Sequence, residues 1–180
     1  MKATVYHNHL PIYRVVRRGW PDPIDTAFSQ SPKVDNRWNT VDFPALYCCC
    51  SEAVASAIVR DIFRITGATL ADLLETAYPQ LVEIQWQGEP VDMTAESAIV
   101  LAGFSPDYPD GANHSQTQIV AISWHAVGAS GVLCRSASMA RLGFNGWSGD
   151  HAAWSELAIY TENCATKPNV LNRRDDLGWL

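Results

Sequence analysis

Residues 43–66, FPALYCCCSEAVASAIVRDIFRIT, limit the fold more than any other stretch, because they read as a strand delivered straight into a helix. The run FPALYC at 43–48 is apolar and ends in tyrosine, which predicts a strand. Ser51 is placed to cap a helix. Apolar residues then recur at Val54, Ile58, Ile62 and Ile65, with Ala55, Val59 and Phe63 alongside, which is one face of an amphipathic helix. An element pair of this kind needs a sheet to join and a surface for the helix to cover.

The rest of the chain supplies both. PIYRVV at 11–16, the residues Leu81, Val82, Ile84 and Trp86, GVLCRSAS at 131–138 and ELAIY at 156–160 read as further strands. Thr69 followed by Asp72 predicts a capped helix over 70–78, closed by Pro79. TAESAIVLAG at 94–103 predicts a short helix, and QTQIVAISWHAVGA a longer one, with Ile119, Ile122 and Ala126 beside Val120, Trp124 and Val127 at helical spacing. Between them, 104–115 is a loop by composition, and the polar tail KPNVLNRRDDLGWL closes the domain or frays. The strands are short and unevenly spaced, with no βαβ repeat. The expectation is therefore an α+β fold with a central mixed or antiparallel sheet and flanking helices. At 180 residues the chain fits one domain, 1–180.

Composition removes several classes of function. A net charge of −6 argues against direct nucleic-acid binding, since the phosphate backbone rewards a basic face. No apolar run is long enough to span a bilayer. The opening MKATVYHNHLPIYR puts polar residues where a signal peptide needs its apolar stretch, so a cytoplasmic protein is expected. Cys48, Cys49 and Cys50 are adjacent and alternate faces in a strand, so they cannot all pair locally; reduced thiols are expected. Cys134 and Cys164 stand alone, without CxxC spacing, and no metal site is expected. The pair His7 and His9 lacks a neighbouring carboxylate partner, and His114, His125 and His151 form no recognisable set.

Common catalytic motifs for phosphate loops, nucleophile elbows and zinc helices are absent. What remains are polar residues at strand edges: Arg14, Arg37 in RWN, Tyr47 and Ser136. Guanidinium groups on separate segments suit the two phosphates of a pyrophosphate, and a tyrosine offers a flat face to an aromatic ring. Residue types alone equally allow surface ion pairs and a core tyrosine.

The order IYR, NRWN, PALYCCCSEAVASAI, then TQIVAISWHAVGASGVLCRSASMARLGFN resembles the RES domain family, toxins of bacterial type II toxin–antitoxin modules, over a core of about 12–160. The resemblance implies a fold like that of ADP-ribosyltransferases and NAD as substrate. It implies that Arg14 and Arg37 hold the NAD phosphates, that Tyr47 packs on the nicotinamide side and that Ser136 lines the pocket. It also implies an antitoxin partner with a helix-turn-helix. Three positions depart from the family pattern. Asn36 stands for the glycine before RWN, and Cys134-Arg135-Ser136 for tyrosine-proline-serine. Eleven residues after Tyr47, where the family has its glutamate, stands Ile58. Glu52 and Asp61 are the nearest acids on that helix.

Breaking the nicotinamide–ribose bond builds positive charge on the sugar, which a carboxylate stabilises; its loss commonly costs a factor of about a hundred to a thousand in rate. An apolar Ile58 also disfavours water near the sugar. The expectation is a toxin that transfers one ADP-ribose from NAD to a cellular protein, with Arg37, Tyr47 and Ser136 catalytic and Ile58 beside the NAD ribose. The alternatives are an NAD-degrading toxin, by hydrolysis or phosphorolysis with Asp61 or Glu52 standing in, and an inactive RES-like binding module.

Overall fold

The computed structural model describes residues 11–32, 36–147 and 151–180; His7 and His9 lie outside them, as does the side chain of His151. Strand β1 (Ile12–Arg17) leads through a long connection to β2 (Leu46–Cys49), which enters helix α1 (Glu52–Thr66). Then come β3 (Pro79–Gln85), β4 (Val91–Met93), α2 (Glu96–Leu101), α3 (His114–Ala126), β5 (Gly131–Arg135), α4 (Ala137–Arg141), β6 (Ser155–Ile159) and β7 (Asn169–Arg174). The seven strands form one sheet in the order β4-β5-β6-β2-β1-β3-β7. Among the described residues only the β4–β5 pair is parallel, so the sheet is mixed, as expected.

Side-chain alternation along the central strands divides the core into two layers. On β6, Ala158 joins Trp38, Met93, Tyr108 and Cys134 in a cluster against α2 and α3, while Leu157 and Ile159 join Ile12, Leu46, Val82 and Leu133 on the other face. A third cluster packs Val54, Ala55 and Val59 of α1 against Cys49, Leu81 and Trp179. Gly131 is required where β5 meets β6: a Cβ there would lie 2.3 Å from the Ala158 carbonyl oxygen. Ser51 caps α1 by accepting from the Val54 amide, and Gly67 ends the helix in the left-handed region at φ 68°.

Several elements differ from expectation for identifiable reasons. The predicted helix over 70–78 is two short 3₁₀ turns, Leu70–Asp72 and Glu75–Ala77. The Thr69–Asp72 capping box forms, but Leu73 and Leu74 are extended and no i→i+4 ladder follows. The strand predicted at 131–138 stops at Arg135, because Ser136 caps α4. The polar tail contributes β7, an edge strand paired to β3, and Trp179 enters the core. Strand β4 was not expected at all. On α1 the buried side carries Val54, Ala55 and Val59, while Ile62 and Ile65 are 51% and 63% exposed; on α3 it is Thr117 and Ala121 that are buried, and Ile119 is 66% exposed. Helical period was right and the buried face was rotated.

Candidate functional site

Strands β1 and β2 share a single register pair, Tyr13 opposite Cys49, and then part. A cavity of about 250 Å³ opens beside that parting. Arg14 and Val15 line it from β1, Tyr47, Cys48 and Cys49 from β2, Ile58 from α1, Glu156 from β6, and Phe28, Ser29 and Asn36 from the long connection. Three of the five residues singled out in the sequence, Arg14, Tyr47 and Ile58, therefore line one cavity. Arg37 and Ser136 do not; they stand behind Glu156.

Glu156 is the residue that sequence reasoning missed. Its Oε2 accepts from Arg37 Nη2 at 2.5 Å, and its Oε1 accepts from Ser136 Oγ at 2.6 Å. The pair is secluded, with side chains only 15% and 12% exposed. Burial works against the Arg37 charge, but Glu156 opposite, with Tyr108, Cys134 and Tyr47 nearby, outweighs it and raises the pKa above the ordinary value. A signal for Glu156 did exist. It opens ELAIY, a run expected to be a sheet strand, and an acid inside a buried strand must find a partner.

The RWN turn is tied to the strand that follows it, which explains why the two motifs occur together. The Trp38 amide donates to the Tyr47 hydroxyl at 2.9 Å, and that hydroxyl donates to Asn39 Oδ1 at 2.9 Å. Asn39 Nδ2 donates to the Ser29 carbonyl at 2.7 Å, and the Trp38 indole donates to Cys134 Sγ at 3.2 Å. Burial raises the Tyr47 pKa well above that of a free phenol. With its hydroxyl occupied on both sides, Tyr47 offers the cavity its ring.

Arg14 differs from Arg37. Its Nη1 is buried and has no hydrogen-bond partner among the described residues. Burial lowers its pKa, partly offset by the fields of Cys48, Asp25 and Asp22. An unpaired buried donor of this kind is costly unless an anion or water meets it. Burial also pushes the Cys48 thiol up to about 12 and that of Cys134 to about 11, so neither is a ready nucleophile.

Glu52 and Asp61, the acids considered as stand-ins, are committed elsewhere. Glu52 accepts from Arg174 Nη1 at 2.6 Å, tying α1 to β7. Asp61 faces α4, accepting from Arg141 Nε at 2.7 Å and from Arg64 Nη2 at 2.9 Å. Neither lines the cavity. A larger cleft of about 770 Å³ shares no lining residue with it and carries Glu96, Asp107 and Asp110. Its one lining cation, Arg135, is held by the carbonyls of Thr94, Pro106 and Tyr108 and is outnumbered by the three acids. Among the described residues no group of three or more His, Cys, Asp or Glu side chains could hold a metal ion, and no helix is long and apolar enough to cross a membrane.

A family model described as RES domain matches residues 11–161. No curated protein matches the sequence. Among solved structures the chain is similar to one in a crystal structure of the M. tuberculosis MbcT-MbcA toxin-antitoxin complex. The two are 20% identical with a TM-score of 0.71, covering 91% of this chain and 82% of that one.

Proposed function

The chain belongs to the RES domain family, and from that membership we propose that it is the toxin of a type II toxin–antitoxin module, consuming NAD to transfer a single ADP-ribose to a cellular protein. The observation that carries this reading is the cavity at the parting of β1 and β2, which joins an unpaired cation, an aromatic ring and an apolar wall. Arg14 is the anchor for a phosphate oxygen, since its free Nη1 needs an acceptor and a charge-assisted bond supplies one. The ring of Tyr47 receives the nicotinamide. Phe28, 57% exposed where it borders the cavity, offers a second flat face. At about 250 Å³ the cavity is below the size that encloses a whole drug-sized ligand, about 300–1,000 Å³, so it takes the nicotinamide mononucleotide end and leaves the adenylate outside.

Ile58 on one wall supports transfer over hydrolysis, because an apolar surface beside the sugar disfavours a bound water. Glu156 on another wall favours a second reading, NAD breakdown to free ADP-ribose or its phosphate, since a carboxylate can orient a water, or the hydroxyl of inorganic phosphate, for addition at the same carbon. The partners of this reading are a helix-turn-helix antitoxin and an acceptor protein. Cys48, Cys49, Cys134 and Cys164 are free thiols, which suits the reducing cytoplasm. Incubating the purified protein with adenylate-labelled NAD and bacterial lysate tests the proposal. Labelled protein supports transfer, free ADP-ribose supports breakdown, and unchanged NAD with no growth arrest on induction refutes both.

A further inference from the structure

We propose that Glu156 is the carboxylate facing the nicotinamide ribose, so that in this chain the reaction's acid comes from strand β6, where the helix wall presents Ile58. This rests on the reading of the cavity as an NAD site and holds for transfer and breakdown alike, because both begin with the same bond cleavage.

The geometry separates Glu156 from every other acid near the site. Among the described residues it is the only carboxylate lining the cavity, and the α1 acids Glu52 and Asp61 point into other ion pairs. Among the described residues each of its oxygens has one protein donor, Ser136 Oγ on Oε1 and Arg37 Nη2 on Oε2. An ionised carboxylate has about four acceptor sites, so about two remain for a ligand. The group is thus fixed in orientation without being saturated, which is what preorganised charge stabilisation requires. Its cross-strand neighbours are Cys49 and Cys134, neutral thiols that bring no competing charge. Arg37 and Ser136 act through Glu156 and are positioning residues.

The chemistry balances without any further reagent. The bond between ribose C1′ and the nicotinamide nitrogen breaks, and its electron pair leaves with nicotinamide, which departs neutral. Positive charge develops on C1′ and the ring oxygen, facing the Glu156 carboxylate, whose open acceptor sites take hydrogen bonds from the ribose hydroxyls. An acceptor hydroxyl then adds to C1′ and its proton passes to solvent. Glu156 gains and loses no atoms.

Glu156→Gln tests this, with NAD affinity by calorimetry, nicotinamide release by chromatography and folding by circular dichroism on one preparation. Because that change leaves Arg37 buried without a counter-charge, the double variant Arg37→Gln, Glu156→Gln runs beside it as a charge-free pair. The expected result is a folded protein with nicotinamide release reduced about a hundredfold or more and NAD affinity within about threefold of the parent. Glu156→Asp, which keeps the charge but withdraws it by one methylene, is expected to lower kcat about tenfold or more with KM little changed. A folded variant without Glu156 that still releases nicotinamide at the parent rate overturns the proposal, as does a loss of affinity that accounts for the whole loss of rate. A parent protein that neither binds nor cleaves NAD overturns the cavity reading itself, and this inference with it.

Discussion

Two buried acids of this protein, Glu156 on β6 and Asp61 on α1, are both clasped by a guanidinium and yet sit in opposite settings. Asp61 is 2% exposed, but its partners Arg64 and Arg141 are 53% and 47% exposed, so solvent shares the cations. Those bonds draw its pKa below the ordinary carboxylate value of 3.8 although burial works the other way. Among the described residues Glu156 has a single cation, Arg37, nearly as hidden as itself, and it borders an open cavity. The Asp61 cluster pins α4 to α1, and Asp61 lines neither the 250 Å³ cavity nor the 770 Å³ cleft. A buried Arg–Glu pair at a cavity wall is a poor stabiliser, because desolvation offsets most of the Coulomb attraction. The difference teaches that burial and an arginine partner do not mark a functional acid; what marks it is the unfilled space beside it.

The comparison breaks most visibly at Arg37. Arg37→Ala strands Glu156 as an unpaired buried charge, and urea denaturation is expected to show a loss of about 3–5 kcal/mol. At the other acid, Asp61→Asn weakens the charge-assisted bonds to two half-exposed arginines, with an expected loss of about 1–2 kcal/mol at neutral pH and nicotinamide release unchanged. The pH dependence sharpens the contrast. A carboxylate whose folded pKa is depressed contributes stability above its unfolded value, and that stability is lost as pH falls through the folded pKa. The gap between parent and Asp61→Asn should therefore be constant from pH 7 to pH 5 and shrink below 3.8, which denaturation curves at three pH values will show. Ser136→Ala removes both a bond to Glu156 and the α4 cap, with about 1 kcal/mol lost and a slower reaction, whereas no Asp61-side change slows it. Smallest of all, Glu52→Gln at the solvent-facing pair with Arg174 should leave both stability and rate unaltered.

Much of the fold was legible because its signals are local. Ser51 capping α1, the β-branched run of β1 and the glycine-led β5 each depend on a few adjacent residues. The misses depend on the rest of the molecule. Thr69 and Asp72 do form their capping box, yet nothing local says that Leu73 will leave the helix for the approach to β3. β7 reads as a polar tail because it is an edge strand, most of whose side chains meet water. Ile62 and Ile65 share a helical period with Val54, and only the placement of the sheet and of α4 decides that they face solvent. The site divides along the same line. Arg14, Tyr47 and Ile58 occupy motif positions that can be counted along the chain, but Glu156 is brought to them by the pairing of β6 with β2, which no spacing in the sequence encodes.

That pairing has a consequence in time. The Arg37–Glu156 contact closes a separation of 119 residues, and at the usual synthesis rate of about 5–20 residues per second its two ends leave the ribosome roughly 6–24 s apart. Throughout that interval the chain lacks the strand that completes the cavity, and Arg37 waits in water, where an unpaired guanidinium is at no disadvantage. Whatever must meet the finished cavity has those seconds to be present before it forms.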